Sequence, residues 1–266
     1  MLKRHTAFLG ALSASLVLSA CATSPLGRSQ LSLFGNDQLA QQGQQAFEQY
    51  RQEHRQATGA RGQYVSCIAN DIIDTLPQDS GPQAWTVGVY EDPEPNAFAL
   101  PGGYVVINTG LLNIARDQDQ VATVVGHEIA HVLANHANER ASTQAVTSSG
   151  LGIVNAVTGN QGLTQLLGAG AQYGVLLPYS RRHESEADLL GLDLMARAGF
   201  DPRASLQLWQ NMQAAGGNSP PEWASTHPSS GDRSQALNNR MESAMQRYEQ
   251  ARQQGRRPDC ERLRSA

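Results

Sequence analysis

The stretch "GHEIAH" contains two histidines four residues apart, with a glutamate directly after the first. On an α-helix, residues four apart point in nearly the same direction, about 6 Å from each other along the axis, so His127 and His131 can both direct an imidazole at one metal ion. Glu128 lies about 100° further round the helix, where its carboxylate can reach a metal-bound water. The spacing predicts a zinc site in which Glu128 acts as the general base on water.

The same motif also occurs by chance on ordinary helices, so the neighbouring sequence has to support this interpretation. Apolar side chains surround it on the same helix: Val124, Val125, Ile129 and Val132. This composition indicates that the polar side chains project into an interior cleft. Burying two histidines and a glutamate without a partner is costly, and a bound metal removes that cost.

A catalytic zinc also needs a third protein ligand and a position for water. His136 lies nine residues after His127, on the opposite face of a continuous helix, and we interpret it as a surface or helix-end residue. The pattern in which a third histidine follows ten residues after the first fails here, because Ala137 occupies that position.

The segment "SRRHESEADLLGLDLMARAG" offers a better third ligand. Glu184 and Asp188 lie four residues apart on one helical face, whereas Glu186 points away from both. Glu184 could bind the zinc while Asp188 accepts the N–H of a ligand histidine and fixes its tautomer. Spacing alone leaves Glu186 and His183 open as alternative ligands.

Hydrophobic periodicity predicts the elements that position these residues. Apolar residues at helical spacing predict helices over 38–56, 64–76, 184–199, 202–215 and 232–252. Alternating residues predict a strand over 84–90 and a strand–turn–strand unit over 96–108. The glycine-rich segment 145–177 predicts two loosely packed helices, with a membrane-dipping flap as the alternative. The fold class is therefore α+β and mainly helical, with a small β-sheet.

The N-terminus is a separate unit. Lys3 and Arg4 precede a short apolar run and then the letters "LSAC", which end at Cys21. These features are typical of a secretory signal, and the last four letters resemble the lipobox of bacterial lipoproteins. We expect a signal peptide over 1–20, lipidation of Cys21 and a polar tether over 21–37; the alternative is an ordinary signal peptide with a chance cysteine. Ala22, in place of aspartate, favours the outer membrane, facing the periplasm.

Composition limits the remaining possibilities. A chain of 266 residues, 40% of them hydrophobic, suits one domain with appendages, here a domain over 38–250 and a C-terminal tail over 251–266. The net charge of −4 provides no broad basic surface, which argues against a nucleic-acid partner. Cys67 and Cys260 form an even pair in the expected oxidising compartment, so we predict a disulfide between them, with two free thiols as the alternative.

Four motifs occur in a characteristic order: "NAFALPGG", "HEIAH", "SRRHESEAD" and "STHPSSGDR". In this order they resemble the gluzincin zinc peptidases of the CAAX prenyl endopeptidase and HtpX kind. The likeness covers about residues 40 to 245 and is strongest to soluble periplasmic members, one of them a lipoprotein. It implies a zincin-like domain with one Zn²⁺ per chain, held by His127, His131 and Glu184. Glu128 matches the general base, and Asp188 the acid that supports a ligand histidine.

The resemblance also implies roles around the cleft. The edge strand along which a substrate lies extended matches Asn96, Ala97, Phe98 and Ala99, and pairing to such an edge recognises backbone more than side chains. His227 matches a loop histidine that either caps the zinc in a latent state or assists the transition state. Arg233 is expected to stabilise the oxyanion, or alternatively to form a structural ion pair.

These features predict a zinc endopeptidase on the inner face of the outer membrane. Its partners would be unfolded or misassembled envelope polypeptides and, through the lipid anchor, the membrane. Two other functions compete with this one: a mostly latent metalloprotease acting as a chaperone or outer-membrane assembly factor, and a scaffold lipoprotein with a structural zinc. Glu128 disfavours the scaffold, because a structural zinc site has no use for a general base.

Overall fold

The computed structural model describes residues 21–149, 179–215, 223, 226–228 and 232–264. The predicted signal peptide over 1–20 and residues 150–177 of the glycine-rich segment lie outside the described residues. Helices dominate the described part: α1 (Asn36–Glu53), α2 (Ala60–Ile73), α3 (Gln118–Leu133), α4 (His136–Ser149), α5 (Arg181–Ala198), α6 (Ala204–Ala215) and α7 (Arg233–Gln253). Strands form two small sheets: β1 (Cys21–Thr23) with β2 (Ser29–Leu31), and β3 (Thr86–Tyr90), β4 (Ala97–Leu100) and β5 (Tyr104–Asn108). The mainly helical α+β prediction is confirmed.

The three-stranded sheet has the order β3-β5-β4, with β3 parallel and β4 antiparallel to β5. Along each strand, successive residues face opposite sides of the sheet and alternate residues share one side. Ala97 and Ala99 join the main core, whereas Leu100 and Val106 pack with Phe47 of α1 on the other side. The β4–β5 turn passes through two glycines with φ near +90°, at positions 102 and 103, a conformation that other residues rarely adopt. This unit is the strand–turn–strand predicted over 96–108.

Helices α3 and α5 form the centre of the molecule. Helix α3 starts at Asp117, whose carboxylate accepts a hydrogen bond from the Gln120 N–H at 2.8 Å, and nearly all of its length is buried. Helix α5 starts at Ser180, which forms a capping box with His183, and ends at Gly199 in the left-handed conformation. These caps set the first residue of each helix and thereby fix which face carries the polar side chains.

Residues 21–37, which we expected to be a tether, fold onto the domain in the structure. Strands β1 and β2 pair as an antiparallel hairpin, with Ala22 opposite Gln30. Arg28 in the turn forms ion pairs with Glu139 of α4 and Glu186 of α5, at 2.6 and 2.7 Å. Opposite charges therefore hold this N-terminal hairpin (residues 21–31) in place. Lipidation of Cys21 stays a prediction.

The C-terminus docks on α2. The structure joins Cys67 to Cys260 as a disulfide across 193 residues of sequence, with a Cα–Cα distance of 5.8 Å. Next to it, the Tyr64 hydroxyl donates to Glu261 Oε2 at 3.0 Å. The predicted tail over 251–266 is thus partly the end of α7 and partly a segment fastened to the domain. In the part of the chain that the structure describes, no helix is both long and apolar enough to cross a bilayer.

Candidate metal centre

Two helices and one loop bring four potential ligand atoms together. His127 Nε2 and His131 Nε2, one turn apart on α3, lie 3.0 Å from each other. Glu184 of α5 places Oε2 3.4 Å from His127 Nε2 and Oε1 3.4 Å from His131 Nε2. His227 Nδ1 lies 3.3 Å from His127 Nε2 and 3.1 Å from Glu184 Oε1. All four residues are buried, and their ligand atoms lie within 4.8 Å of one another.

The chemistry of this set fits zinc. Ligands roughly 2.0–2.1 Å from a tetrahedral zinc lie roughly 3.3 Å from each other, which matches the spacings in the structure. Behind the histidines, Asp188 Oδ1 lies 3.0 Å from His127 Nδ1, and His136 Nδ1 lies 2.9 Å from His131 Nδ1. When zinc is bound, protons on these Nδ1 atoms leave the lone pairs of the facing Nε2 atoms to the metal, and the cation removes the repulsion between these lone pairs and the carboxylate.

The structure distinguishes among the acidic and histidine candidates of α5. Glu184 faces the two histidines of α3, but Glu186 lies on the other side of the helix, where it accepts hydrogen bonds from Ser24 and Arg28. His183 Nε2 lies 3.1 Å from Glu139 Oε2, outside the ligand group. Among the described residues, Glu184 is therefore the carboxylate that can complete the site.

The interpretation of His136 as a surface or helix-end residue is wrong about its environment. Helix α3 ends at Leu133, the chain turns through Asn135 with φ 53°, and His136 begins α4 fully buried beside His131. The prediction assumed one continuous helix, which would have put this ring on the opposite face. Asn135 was the available signal, because asparagine tolerates the left-handed conformation that ends helices.

Glu128 lies next to the ligand group in a fully buried position. The Trp223 indole N–H donates to Glu128 Oε1 at 3.4 Å, and His227 Nε2 lies 3.6 Å from the same oxygen. Burial raises the pKa of Glu128. A carboxylate with a raised pKa, close to the ligand atoms, is suited to taking up and returning a proton near neutral pH.

Asp188 and Arg233 hold the ligands from behind. Arg233 Nε lies 2.6 Å from Asp188 Oδ2, and its Nη2 lies 2.9 Å from Glu184 Oε2. The buried guanidinium also sits 4.0 Å from the centre of the Trp209 ring. The geometry thus shows the ion-pair alternative for Arg233, and its oxyanion role stays a prediction.

Burial and charge act in opposite directions on the ligand pKa values. Burial acts to raise the pKa of Glu184, but the charge of His227 and hydrogen bonds from the histidines hold it well below its usual range. Burial acts to lower the pKa of His127, yet Asp188 and Glu184 raise it to about 10. Without a metal this ring therefore carries a second proton, on Nε2, which zinc binding displaces. Burial lowers the pKa of His131 well below its ordinary value. The carboxylate is therefore ionised and ready to bind a cation.

Aromatic rings that the sequence analysis did not identify enclose the site. Tyr179 stacks on His131 with ring centres 4.0 Å apart, and Trp223 stacks on His227 at 4.6 Å. Trp209 stacks on Trp223 at 4.8 Å. The three rings come from separate segments of the chain and share no periodic pattern. They keep bulk water from this side of the ligands and orient both imidazoles.

The predicted substrate strand lies at an edge of the sheet. Residues Asn96 to Ala99 fall in or directly before β4, whose outer side pairs with no described strand. Helix α3 packs against β4, so the edge belongs to the same region of the fold as the ligand helix. Its use by a substrate stays a prediction.

An HExxH helix with a carboxylate ligand from a second helix defines a zinc metallopeptidase centre of the gluzincin class. The pattern of peptidase family M48 matches residues 60–241, and the chain belongs to that family. The gluzincin resemblance drawn from the four motifs is thereby confirmed at the level of the family.

Individual relatives refine this result. The mitochondrial metalloendopeptidase OMA1 of Schizosaccharomyces pombe is 42% identical over 171 residues, 63% of this chain and 49% of the relative. The corresponding protein of Bos taurus is 34% identical over 239 residues, 82% of this chain and 45% of the relative. The beta-barrel assembly-enhancing protease of Escherichia coli is 33% identical over 147 residues, 51% of this chain and 30% of the relative. The chain thus spans less than half the length of these three relatives.

These matches correct two expectations. The likeness was expected to be strongest to periplasmic members of the family, but the mitochondrial relatives match at higher identity or over more of the chain than the bacterial protease. The predicted location, the outer membrane facing the periplasm, is wrong for the same reason. That location rested on a few letters at the N-terminus, whereas the matches rest on the folded domain.

Proposed function

We propose that this protein is a zinc-dependent endopeptidase that hydrolyses peptide bonds in misfolded or unassembled polypeptides. The observation that carries the proposal is the ligand group of His127, His131 and Glu184 with the buried carboxylate of Glu128 beside it. Membership in peptidase family M48 supports the same activity.

The chain's own residues have distinct tasks in this reaction. Zinc, when bound by His127, His131 and Glu184, supplies a Lewis acid that polarises the scissile carbonyl and lowers the pKa of water. Glu128 accepts a proton from the attacking water and returns it to the leaving amine. Its raised pKa brings the two transfers closer to balance at neutral pH. Asp188 holds the His127 ring, so its lone pair keeps the required direction.

The proposed substrate class follows from the edge strand β4. A peptide that pairs with an open strand edge must be extended, and its recognition rests mainly on backbone hydrogen bonds. Folded proteins rarely expose such segments, whereas misfolded or unassembled chains do. The name of one relative, the beta-barrel assembly-enhancing protease, is consistent with a substrate that has failed to assemble.

The test compares cleavage of casein and of an unfolded membrane protein by the unaltered protein, its Glu128→Gln form and the protein with a chelator. We expect cleavage by the unaltered protein alone, with a loss of about 10²–10⁴-fold in the variant. The matched control is Glu48→Gln, because the side chain of Glu48 on α1 is 43% exposed and pairs with Arg51, away from the ligand group. Zinc content should stay the same in both variants. Undiminished cleavage by the Glu128→Gln form would remove the proposed mechanism.

A second function is a mostly latent metalloprotease that acts as a chaperone or assembly factor. The observation that favours it is His227, whose Nδ1 belongs to the ligand group and whose Nε2 faces Glu128. In that position the ring fills the place that substrate and water need. Cleavage that appears only after His227→Ala would support latency, and equal cleavage with and without the substitution would contradict it. A chaperone would also suppress aggregation of an unfolded client in the Glu128→Gln form.

A further inference from the structure

A chain of polar side chains runs from the back of His131 to the N-terminal hairpin. His131 Nδ1 lies 2.9 Å from His136 Nδ1, and His136 Nε2 lies 3.2 Å from Glu186 Oε2. Arg28 donates from Nε to the same carboxylate oxygen at 2.8 Å, and the Ser24 hydroxyl donates to the other oxygen. We propose that His136 and Glu186 are positioning residues for the zinc ligand His131, and that Arg28 couples the N-terminal hairpin to the affinity for zinc.

The proton positions follow from the ligand. If His131 binds zinc through Nε2, its proton must sit on Nδ1, which then donates to His136 Nδ1. His136 is left with its own proton on Nε2, and this N–H points at Glu186. Each N–H in this series of contacts then faces an acceptor, and the negative charge of Glu186 accepts the last of them. The arrangement fixes the tautomer of His131 and increases the electron density on its metal-binding nitrogen.

We call the series of contacts from His131 through His136 and Glu186 to Arg28 the relay. It gives the two ligand histidines equivalent support. His127 has the carboxylate of Asp188 directly behind it, at 3.0 Å. Among the described residues no carboxylate takes that position behind His131, and His136 bridges the gap to Glu186. Both supporting carboxylates lie on α5, two and four residues after the ligand Glu184 in sequence. Two residues along a helix correspond to a rotation of about 200°, so the residue that points away from the zinc can serve the second histidine through a relay.

Arg28 is the part of the relay that comes from outside the two central helices. Its guanidinium contacts Glu186 and, through both terminal nitrogens, Glu139 of α4 at 2.6 Å each. Glu186 is only 6% exposed, so without Arg28 its remaining partners among the described residues would be Ser24 and His136. The N-terminal hairpin, which begins at Cys21, is therefore linked through Glu186 and His136 to a zinc ligand.

The inference rests on the zinc site of the proposed function, but its readout is metal affinity and not peptide cleavage. The zinc dissociation constant of the full chain is measured by competition with a chromophoric chelator, and the cobalt form is compared by its visible absorption. Failure of the unaltered protein to bind zinc would overturn the proposed function itself. Zinc binding that no relay variant changes would overturn only the present inference.

Two substitutions of His136 separate the halves of the relay. In His136→Asn the amide oxygen replaces Nδ1 and can still accept from His131, but the contact with Glu186 is lost. In His136→Gln the amide nitrogen replaces Nε2 and can still donate to Glu186, but His131 loses its acceptor. We expect zinc affinity to fall about 10–100-fold in the Gln form and clearly less in the Asn form. Equal affinities of the two variants would contradict the relay.

The matched control is Ser142→Ala. Ser142 is buried on the same helix as His136 and hydrogen-bonds Leu33 and Asn138, without touching the relay. With chelator present, we expect the urea midpoint of Ser142→Ala to fall as much as that of a His136 variant. The zinc affinity of Ser142→Ala should stay unchanged. A comparable loss of zinc affinity in this control would show that general destabilisation is responsible.

Arg28 is tested in the same way. Arg28→Ala should weaken zinc binding several-fold and shift the cobalt absorption, and Arg28→Lys should restore part of the affinity because it keeps the positive charge. Unchanged zinc affinity in Arg28→Ala would overturn the coupling to the N-terminal hairpin while leaving the His136 result to stand on its own.

Discussion

Gly126 and Gly191 bring the backbones of α3 and α5 into direct contact at the metal centre. A Cβ atom at Gly126 would lie 2.9 Å from the Gly191 carbonyl oxygen, and one at Gly191 would lie 2.8 Å from the His127 backbone nitrogen. Such distances fall below normal carbon contacts. The close approach lets the carboxylate of Glu184, two turns before Gly191, reach the imidazoles of α3.

Gly191→Ala should therefore separate the two helices and damage the ligand geometry. We expect a loss of about 1–3 kcal/mol in the free energy of unfolding, as for other overpacked cores. Zinc affinity should fall as well, because Glu184 moves with α5. Urea unfolding and the competition assay measure the two effects.

Gly59→Ala is the control for this substitution. A Cβ at Gly59 would meet nothing within 4 Å, and its φ of −81° suits any residue. Because the residue is only a helix N-cap, the cost should stay below about 1 kcal/mol, with unchanged zinc affinity. Equal effects of the two substitutions would show that the helix contact is not what sets the ligand distances.

Removal of zinc should destabilise the whole domain. Without the cation, the ligand nitrogens and the carboxylate of Glu184 remain buried and face one another, so folding loses the binding free energy. With zinc at about 100 times its dissociation constant, we expect the melting temperature to exceed that of the chelated protein by roughly 5–10 °C. Differential scanning fluorimetry with chelator, and then with added zinc or calcium, measures this. Equal melting temperatures with and without the chelator would argue against a bound ion.

Asp119 should make stability depend on pH in the acidic range. Burial raises the pKa of this carboxyl from 3.8 to about 6. The folded state therefore binds the proton more tightly than the unfolded state, and this contribution to stability is complete below pH 3.8 and lost as pH rises through about 6. Because the carboxyl of Asp119 is partly exposed, we expect the free energy of unfolding to change by roughly 1–2 kcal/mol over this pH range.

Asp119→Asn should remove that slope. In the unaltered protein the Asp201 N–H donates to Asp119 Oδ1 at 2.8 Å. The amide oxygen of the variant can still accept this hydrogen bond. Urea unfolding of both metal-free proteins between pH 4 and 7 gives the difference in free energy of unfolding. A difference that does not change with pH would contradict the raised pKa.

Loss of the disulfide should free the C-terminal segment. A reductant, or the double substitution Cys67→Ala with Cys260→Ala, should lower the free energy of unfolding by about 2–4 kcal/mol, because the unfolded chain is no longer cross-linked. The double variant should not respond further to the reductant, and both proteins should retain zinc. A reductant response that persists in the double variant would assign the effect to another thiol.

The elements of the fold were largely predictable because their periodicity is local. The strand over 84–90, the strand–turn–strand unit and the later helices follow from alternation, helical spacing and caps within a few residues. The N-terminal hairpin was missed, because Arg28 is stabilised by Glu139 and Glu186, more than 100 residues away. No local pattern marks a charge whose partners come from distant helices.

The sequence by itself indicated the two histidines that could bind zinc, the glutamate that could act as general base and a short group of alternatives for the third ligand, since the helical period fixes which of these side chains share a face. Only the tertiary structure decided that Glu184 faces the two histidines, that His136 lies against His131, and that Arg233 pairs with two carboxylates. Those assignments depend on how α3, α4, α5 and α7 pack on one another. Distances between helices are set by contacts such as Gly126 with Gly191, which are long-range in sequence and carry no periodic signal.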